Sequence, residues 1–139
     1  MKTVLDAWAV VAWASGEQPA ADVVRQLFVD NREQKAELIM NAVNVGEVYY
    51  IVCRKKSVRA AQQLISSLDR EIRTVNADLE LAVLAGDYKH HNRLSLADAF
   101  ALATAEREAP ALLVTGDPEI RSAKLRTGKV QIKWLERTP

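Results

Sequence analysis

Short apolar segments alternate along this chain with longer segments in which apolar residues recur at the helical period. The short segments predict strands at residues 1–5, 38–40, 72–75, 111–115 and 130–134. The longer segments predict helices at residues 7–14, 19–31, 43–56, from Ser57, from Asn76 or Asp78 to His91, from Ser95 to about 109, and briefly after Gly116. Parallel strands need long crossovers, which are usually helices, so this alternation predicts an α/β fold. We expect three layers, α/β/α, around a central, mainly parallel sheet of four to five strands.

The length and composition are those of one domain. At 139 residues, of which 49% are hydrophobic, the chain can bury a single core, and residues 1–139 contain no repeat, low-complexity segment or linker. Lysine and arginine number 19 against 18 aspartates and glutamates, so any surface for a polyanion must be local. The one cysteine, Cys53, cannot form an internal disulfide, which fits a reducing compartment.

The N-terminus resembles an export signal but carries a charge within it. Lys2 precedes an apolar stretch that ends in Ala12-Trp13-Ala14, the small-residue pattern of a cleavage site. Asp6 leaves only residues 7–14 as a hydrophobic region, which is short for export, so we expect a cytoplasmic protein. No apolar run approaches the ~18 residues that would indicate a membrane span.

Four acidic residues lie in apolar surroundings that a surface charge would not select. Asp6 and Asp117 directly follow predicted strands, Glu47 interrupts an otherwise apolar helix, and Asp98 lies in an alanine-rich segment. In parallel sheets ligands bind beyond the carboxyl ends of the strands, so the four carboxylates could face one cleft. Their mutual repulsion would then require protonation or a bound cation. A hard divalent metal with oxygen ligands is the natural counter-ion.

Each acid taken alone also has a structural explanation. Asp6 could be a helix cap, Asp117 a turn aspartate before proline, and Asp98 the partner of a preceding serine in a capping box. Glu47 has the weakest such explanation, because it has no capping role unless Asn44 is the N-cap of its helix. The functional interpretation therefore depends on the four acids together and on their order.

The segments around these acids resemble the four acidic signatures of PIN domains, in the order in which that family has them. The resembling segments are Val4-Leu5-Asp6-Ala7, Asn44-Val45-Gly46-Glu47, Leu94-Ser95-Leu96-Ala97-Asp98-Ala99 and Val114-Thr115-Gly116-Asp117-Pro118. The resemblance covers essentially the whole chain, and the small size is most similar to the VapC toxins of toxin–antitoxin pairs. One departure is Trp8, where many relatives carry a small hydroxyl residue.

The resemblance implies a single PIN domain over residues 1–139 and a magnesium- or manganese-dependent endoribonuclease that hydrolyses RNA phosphodiester bonds. It further implies a homodimer that is inhibited by a VapB-like antitoxin. The assigned catalytic and metal-binding residues are Asp6, Glu47, Asp98 and Asp117. Asp6 and Asp98 are the expected direct ligands, and the other two would bind the ion or orient the attacking water. Thr115 and Asn44 could hydrogen-bond these carboxylates or the scissile phosphate.

The position of other polar and aromatic residues along the chain predicts their roles. Arg93, Arg121 and Lys124 are the predicted contacts for RNA phosphates, because they lie close in sequence to the third or fourth acid. The basic run at residues 54–56 is expected to be a solvated helix end, with RNA contact as the alternative. The aromatic residues expected to be core or dimer-interface anchors rather than base-stacking surfaces are Trp8, Trp13, Tyr49 and Tyr50.

Competing functions lack specific residues. A haloacid-dehalogenase-type phosphatase would need a second aspartate two residues after the first, where this chain has Trp8. A receiver domain would need an aspartate at the end of the mid-chain strand, where this chain has Asn76. The strongest alternative is a catalytically inactive PIN-fold module that binds RNA or a protein partner, and a metal titration would separate the two. The sequence leaves open the RNA target, the cleavage site and the number of metal ions.

Overall fold

The structure is a computed structural model that describes residues 1–136. The strands in this part of the chain are β1 (Lys2–Leu5), β2 (Glu37–Asn41), β3 (Arg73–Val75), β4 (Ala111–Thr115) and β5 (Val130–Trp134). The helices are α1 (Ala7–Ser15), α2 (Ala20–Arg32), α3 (Ala42–Lys55), α4 (Val58–Glu71), α5 (Leu79–His91), α6 (Leu96–Arg107) and α7 (Pro118–Arg121). None of these helices is both long enough and apolar enough to cross a membrane.

The five strands form one parallel sheet in the order β3-β2-β1-β4-β5. Because side chains alternate across a strand, consecutive residues of β1 enter different cores. Leu5 packs in the cluster formed by α1 to α4, whereas Val4 packs in the cluster formed by α5, α6 and α7. The helices therefore cover both faces of the sheet, which confirms the predicted three-layer α/β architecture.

The topology places the ends of β1 and β4 side by side at the centre of the sheet. The two strands pair in parallel from Lys2 opposite Ala111 to Leu5 opposite Val114. The Asp6 N–H continues this ladder by donating to the Val114 carbonyl at 3.3 Å. The chain therefore leaves both strands at the same edge, where ligands of parallel sheets bind.

Several helix starts agree with the sequence prediction, and one does not. The side chains of Ser57, Asp78 and Ser95 cap α4, α5 and α6, as the sequence indicated. Helix α3 instead begins after Asn41, whose side chain accepts the Asn44 N–H at 2.9 Å. The idea that Asn44 could be the N-cap is wrong, because β2 continues to residue 41 and the chain turns directly into the helix there.

Candidate active site

Asp6 combines a capping role with deep burial. It is the N-cap of α1, and its Oδ1 accepts the Ala9 N–H at 2.8 Å. Its Oδ2 accepts a hydrogen bond from the Thr115 hydroxyl, and the residue is 2% exposed. Capping thus explains one of the two oxygens, but a carboxylate with no cation beside it is an expensive group to bury.

Glu47 is held from the adjacent turn of α3. The Asn44 amide donates to the Glu47 carboxylate at 3.4 Å and to the Ala97 carbonyl at 3.0 Å. Asn44 is buried, and Asn41 accepts its N–H, so this amide connects α3 with the start of α6. Glu47 has no capping role in this helix, so the structural explanation considered for it does not apply.

Asp98 occupies the third position of α6 but does not complete a capping box. The Ser95 hydroxyl accepts the Asp98 N–H at 3.1 Å, which is one half of that motif. The other half comes from Glu119, whose Oε2 accepts the Ser95 N–H at 3.1 Å. The Asp98 carboxylate is therefore not used for capping, although the residue is only 7% exposed.

Asp117 begins the short helix α7 and is tied to β4. Its Oδ1 accepts the Glu119 N–H at 2.9 Å, and its own N–H donates to the Thr115 hydroxyl oxygen at 2.9 Å. Since the same hydroxyl donates to Asp6, Thr115 connects the acids that follow β1 and β4. The hydrogen bonds expected of Thr115 and Asn44 to these carboxylates are thus present.

The four acids meet in and beneath one cleft of about 250 Å³. Its lining residues are Ala7, Trp8, Val11, Ala12, Glu17, Glu47, Ile51, Lys55, Asp98 and Asp117. Asp6 lies close enough for the charges of Glu47 and Asp117 to act on its carboxyl group. Carboxylate oxygens of Asp98, Asp117 and Glu119 lie within 4.8 Å of one another.

Two acids near this cleft were not identified from the sequence. Glu119 follows Asp117 by two residues, and this spacing within one turn was an available signal. Glu17 lines the cleft from the segment after α1, and no local pattern in its sequence marks it. The position of each near the cleft depends on how separate helices and strands approach one another in the fold.

Burial raises the pKa values of Asp6, Glu47 and Asp98, and the charges of neighbouring carboxylates add to the shift. Burial raises the pKa of Asp6 to about 7, although the hydrogen bonds from Thr115 and Ala9 oppose the shift. Burial raises the pKa of Asp98 to about 8, and hydrogen bonding to Asp117 and its negative charge add to the effect. Burial also raises the pKa of Glu47. Each shift reports a carboxylate that lacks a compensating positive charge.

The cluster fits a hard divalent cation. In residues 1–136, no lysine, arginine or histidine forms an ion pair with Asp6, Glu47, Asp98 or Asp117. The available donors are carboxylate and hydroxyl oxygens, which suit Mg²⁺ and Mn²⁺ rather than softer metals. A cation at this position would supply the charge that burial demands.

The predicted RNA-binding residues lie on the surface and are not among the residues that line the cleft. Arg93, Arg121 and Lys124 are all exposed, and the Arg121 guanidinium lies 4.6 Å from the Trp134 ring centroid. Lys55, at the end of α3, is the basic residue among those that line the cleft. The basic run at residues 54–56 is exposed at this helix end, as expected.

Both tryptophans of α1 are half-buried and pack against the core cluster formed by α1 to α4, in agreement with a core role. The Trp13 ring lies against Phe28, with ring centroids 4.5 Å apart. Trp8 also lines the acidic cleft. A mostly apolar groove of about 430 Å³ lies between α1, α3 and α4 and shares Val11 and Lys55 with the cleft.

Comparison with known proteins gives one family and one fold. Residues 3–125 match the family model described as the PIN domain. VapBC2 from Rickettsia felis, solved bound to a DNA fragment from its promoter, has a TM-score of 0.72 at 13% identity and covers 98% of this chain and 100% of its own. VapC20 from Mycobacterium tuberculosis, a sarcin-ricin loop cleaving toxin, has a TM-score of 0.69 at 15% identity. The match covers 88% of this chain and 96% of VapC20.

DNA-bound VapBC from Salmonella typhimurium is similar as well, with a TM-score of 0.70 at 11% identity over 96% of this chain and 97% of its own. At such identities the solved structures establish a shared fold. No curated protein sequence matches this chain.

Proposed function

The chain belongs to the PIN domain family, and we propose that it is a metal-dependent endoribonuclease that hydrolyses RNA phosphodiester bonds. The observation that carries the proposal is the convergence of Asp6, Glu47, Asp98 and Asp117, from four separate parts of the chain, around one cleft. The sarcin-ricin loop cleaving activity of a protein with this fold supports RNA as the substrate. Among described residues, no cationic side chain forms an ion pair with these four acids, so they are not a structural ion-pair network.

Asp98 and Asp117 would hold the metal ion together with Asp6, and Glu119 would contribute from the same side. The close approach of the Asp98, Asp117 and Glu119 oxygens supports these three as ligands. The nearness of Asp6 to Asp117 and Glu47, whose charges act on its carboxyl group, supports Asp6. A bound Mg²⁺ or Mn²⁺ would lower the pKa of a coordinated water molecule and stabilise negative charge on the phosphodiester. Hydrolysis by water needs no nucleophilic side chain.

The chain's own residues would orient the reactants. Thr115 fixes Asp6 relative to Asp117 through its single hydroxyl. Asn44 holds one oxygen of Glu47, and burial raises the pKa of Glu47, which suits it to accept the proton from the attacking water. As water attacks phosphorus, the bond to the leaving ribose oxygen breaks, and that oxygen takes a proton from solvent to become a hydroxyl group.

We propose further that the protein is the toxin of a VapBC-type pair and forms a homodimer. Several proteins with this fold were solved as VapBC toxin–antitoxin complexes. An arginine or lysine of a VapB-like antitoxin could satisfy the carboxylates in place of metal. The apolar groove that shares Val11 and Lys55 with the cleft could receive apolar residues of the same segment. Cys53 and the aspartate within the apolar N-terminus support a cytoplasmic location.

The test is to sequence the ends of RNA fragments produced by the purified protein without its antitoxin. We expect cleavage at defined positions in Mg²⁺ or Mn²⁺ and none in excess EDTA. The Asp98→Asn variant, purified in the same way, controls for contaminating nuclease. Specific RNA binding without cleavage under any of these conditions would favour the inactive PIN-fold module instead.

A further inference from the structure

We propose that Lys55 binds a second phosphate of the RNA, beside the phosphate at which the acids would act. The inference rests on the proposed function, because it adds a substrate contact in the same cleft. It places a positive contact within the cleft itself, separate from Arg93, Arg121 and Lys124, which are not among its lining residues.

Lys55 lies on the face of α3 that carries Glu47. Residues four apart in an α-helix share a face, and Glu47, Ile51 and Lys55 follow one another at this spacing. All three line the acidic cleft. With a rise of about 1.5 Å per residue, the Glu47 and Lys55 backbones lie about 12 Å apart along the helix axis. Lys55 is therefore placed for a neighbouring phosphate rather than for the one at the acids.

The Lys55 ammonium group has no acidic partner in the part of the chain that the structure describes. None of the ion pairs in residues 1–136 includes it, although Glu17 and Glu47 line the same cleft. A lysine that served to neutralise these acids would pair with one of them. Because Lys55 is also exposed, its charge is available to an anion from solvent.

The two basic neighbours of Lys55 have other surroundings. The Arg54 guanidinium lies 5.1 Å from the centroid of the Tyr50 ring. Lys56 lines the apolar groove between α1, α3 and α4 but not the acidic cleft. The dipole of α3 favours positive charge at all three positions, so it does not distinguish among them. What sets Lys55 apart is its place in the cleft, and Lys56 offers a matched control with the same charge.

The chemistry of the cleft calls for such a contact. Four of its lining residues are acids, Glu17, Glu47, Asp98 and Asp117, and their charges repel an RNA backbone. The proposed metal ion would offset this repulsion next to the acids that hold it. A lysine ammonium binds phosphate as a point charge, without a fixed geometry. Lys55 would therefore hold the strand in a way that does not depend on sequence.

The experiment measures binding of a short fluorescein-labelled single-stranded RNA by anisotropy, in Mg²⁺ and over a series of salt concentrations. Every protein carries Asp98→Asn to suppress cleavage, and a gel checks that the RNA is intact. Loss of one phosphate contact should reduce the slope of log K against log salt concentration by about 0.7 in Lys55→Gln. Lys55→Arg should keep the slope, and Lys56→Gln should leave it unchanged.

A slope in Lys55→Gln equal to that of the parent would overturn the inference, as would an equal reduction in Lys56→Gln or failure of the parent to bind RNA. Melting temperatures check folding, which should be unaffected because Lys55 is exposed and makes no ion pair with a described residue.

Kinetics give a second measurement in the protein with Asp98 intact. Lys55→Gln should raise KM for RNA and change kcat little, because a contact to a remote phosphate is equally strong in the ground state and the transition state. An unchanged KM would count against the contact. RNA that binds through Lys55 but is not cleaved by the wild-type protein would contradict the proposed nuclease and not the phosphate contact, so the two failures are distinguishable.

Discussion

The Thr115 hydroxyl group forms hydrogen bonds with two of the four acids. The Thr115 oxygen accepts the Asp117 N–H and donates to Asp6, so both positions depend on it. We expect Thr115→Val, which keeps the shape but removes the hydroxyl, to lower unfolding free energy by about 1–3 kcal/mol because a buried polar group loses its partner.

RNA cleavage by Thr115→Val should also fall, since Asp6 and Asp117 lose their common anchor. Thr115→Ser retains the hydroxyl and serves as the matched control, measured by urea denaturation and by the rate of RNA cleavage. Equal cleavage rates for the valine and serine variants would show that the hydroxyl does not organise the site.

The raised pKa values make the stability of the metal-free protein depend on pH. The pKa of Asp6 is about 7 and that of Asp98 about 8 in the folded state, whereas both are near 3.8 in the unfolded chain. Protonated carboxyls are therefore favoured by folding, and their contribution is fully present below about pH 4 and is lost as the pH rises through 7 to 8.

In EDTA, the melting temperature of the wild-type protein should fall between pH 5 and pH 8.5. It should fall less in the Asp6→Asn/Asp98→Asn double variant, whose amides do not ionise. Asp69→Asn, at an exposed position of α4, is the control for removing one aspartate. A decrease of the same size in the double variant would assign the pH dependence to other groups.

At the scale of elements, a buried amide network joins β2, α3 and α6. The Asn41 amide donates to Asn44 Oδ1 at 2.6 Å, to the Phe100 carbonyl at 3.2 Å and to the Thr104 hydroxyl at 3.0 Å. Because the Asn44 amide in turn donates to the Glu47 carboxylate, this network helps to set the position of Glu47.

We expect Asn41→Ala to cost about 1–3 kcal/mol through the lost helix cap and the unpaired polar groups. RNA cleavage should fall as well, even where the variant is fully folded. Asn31→Ala is a suitable comparison, because Asn31 bonds Glu71 and Leu38 at the opposite end of β2 and should affect stability alone. Full RNA cleavage by folded Asn41→Ala would show that the amide network does not position the acids for catalysis.

The sequence was sufficient to predict elements whose signals are local. The apolar strands, the serine caps at Ser57 and Ser95, and the order of the four acids all appear within short segments. The parallel orientation of the strands followed from their separation by helices. Together these features predict a candidate site at the ends of β1 and β4.

Features that depend on the approach of distant segments could not be predicted in this way. Glu119 bonds the N–H of Ser95, which precedes it by 24 residues, and thereby takes the capping role that local spacing offered to Asp98. Trp8 packs against the core as expected, but its contact with Gly116 and its place in the lining of the cleft depend on the approach of β4, which no local pattern reveals. Local patterns identify candidate partners, and tertiary packing selects among them.

At the scale of the whole molecule, the acidic cleft belongs to a chain whose net charge is only +1. RNA must therefore be attracted by local positive charge, for which Arg93, Arg121 and Lys124 remain the predicted contacts. We expect RNA binding to weaken as salt rises, because phosphate contacts release counterions. Charge-neutral glutamine at these three positions should reduce the dependence of the binding constant on salt concentration, and an unchanged slope would locate the RNA surface elsewhere.

The proposed antitoxin should compete with metal for the same carboxylates. If a basic side chain of the partner occupies the cleft, manganese should bind the complex more weakly than it binds the isolated toxin. Calorimetric titration of Mn²⁺ into both forms measures this difference. Identical affinities would mean that the partner inhibits without contacting the acids.

The central claim is that the clustered acids hold the metal ion that makes the protein a ribonuclease. Its most direct test is to strip the protein with EDTA, remove the chelator, and titrate Mn²⁺ while following metal binding and RNA cleavage in the same samples. We predict that cleavage appears in proportion to bound metal, and that Asp98→Asn lowers it at least ~10- to 100-fold while remaining folded. Full cleavage by the stripped protein, or wild-type activity in Asp98→Asn, would contradict the account.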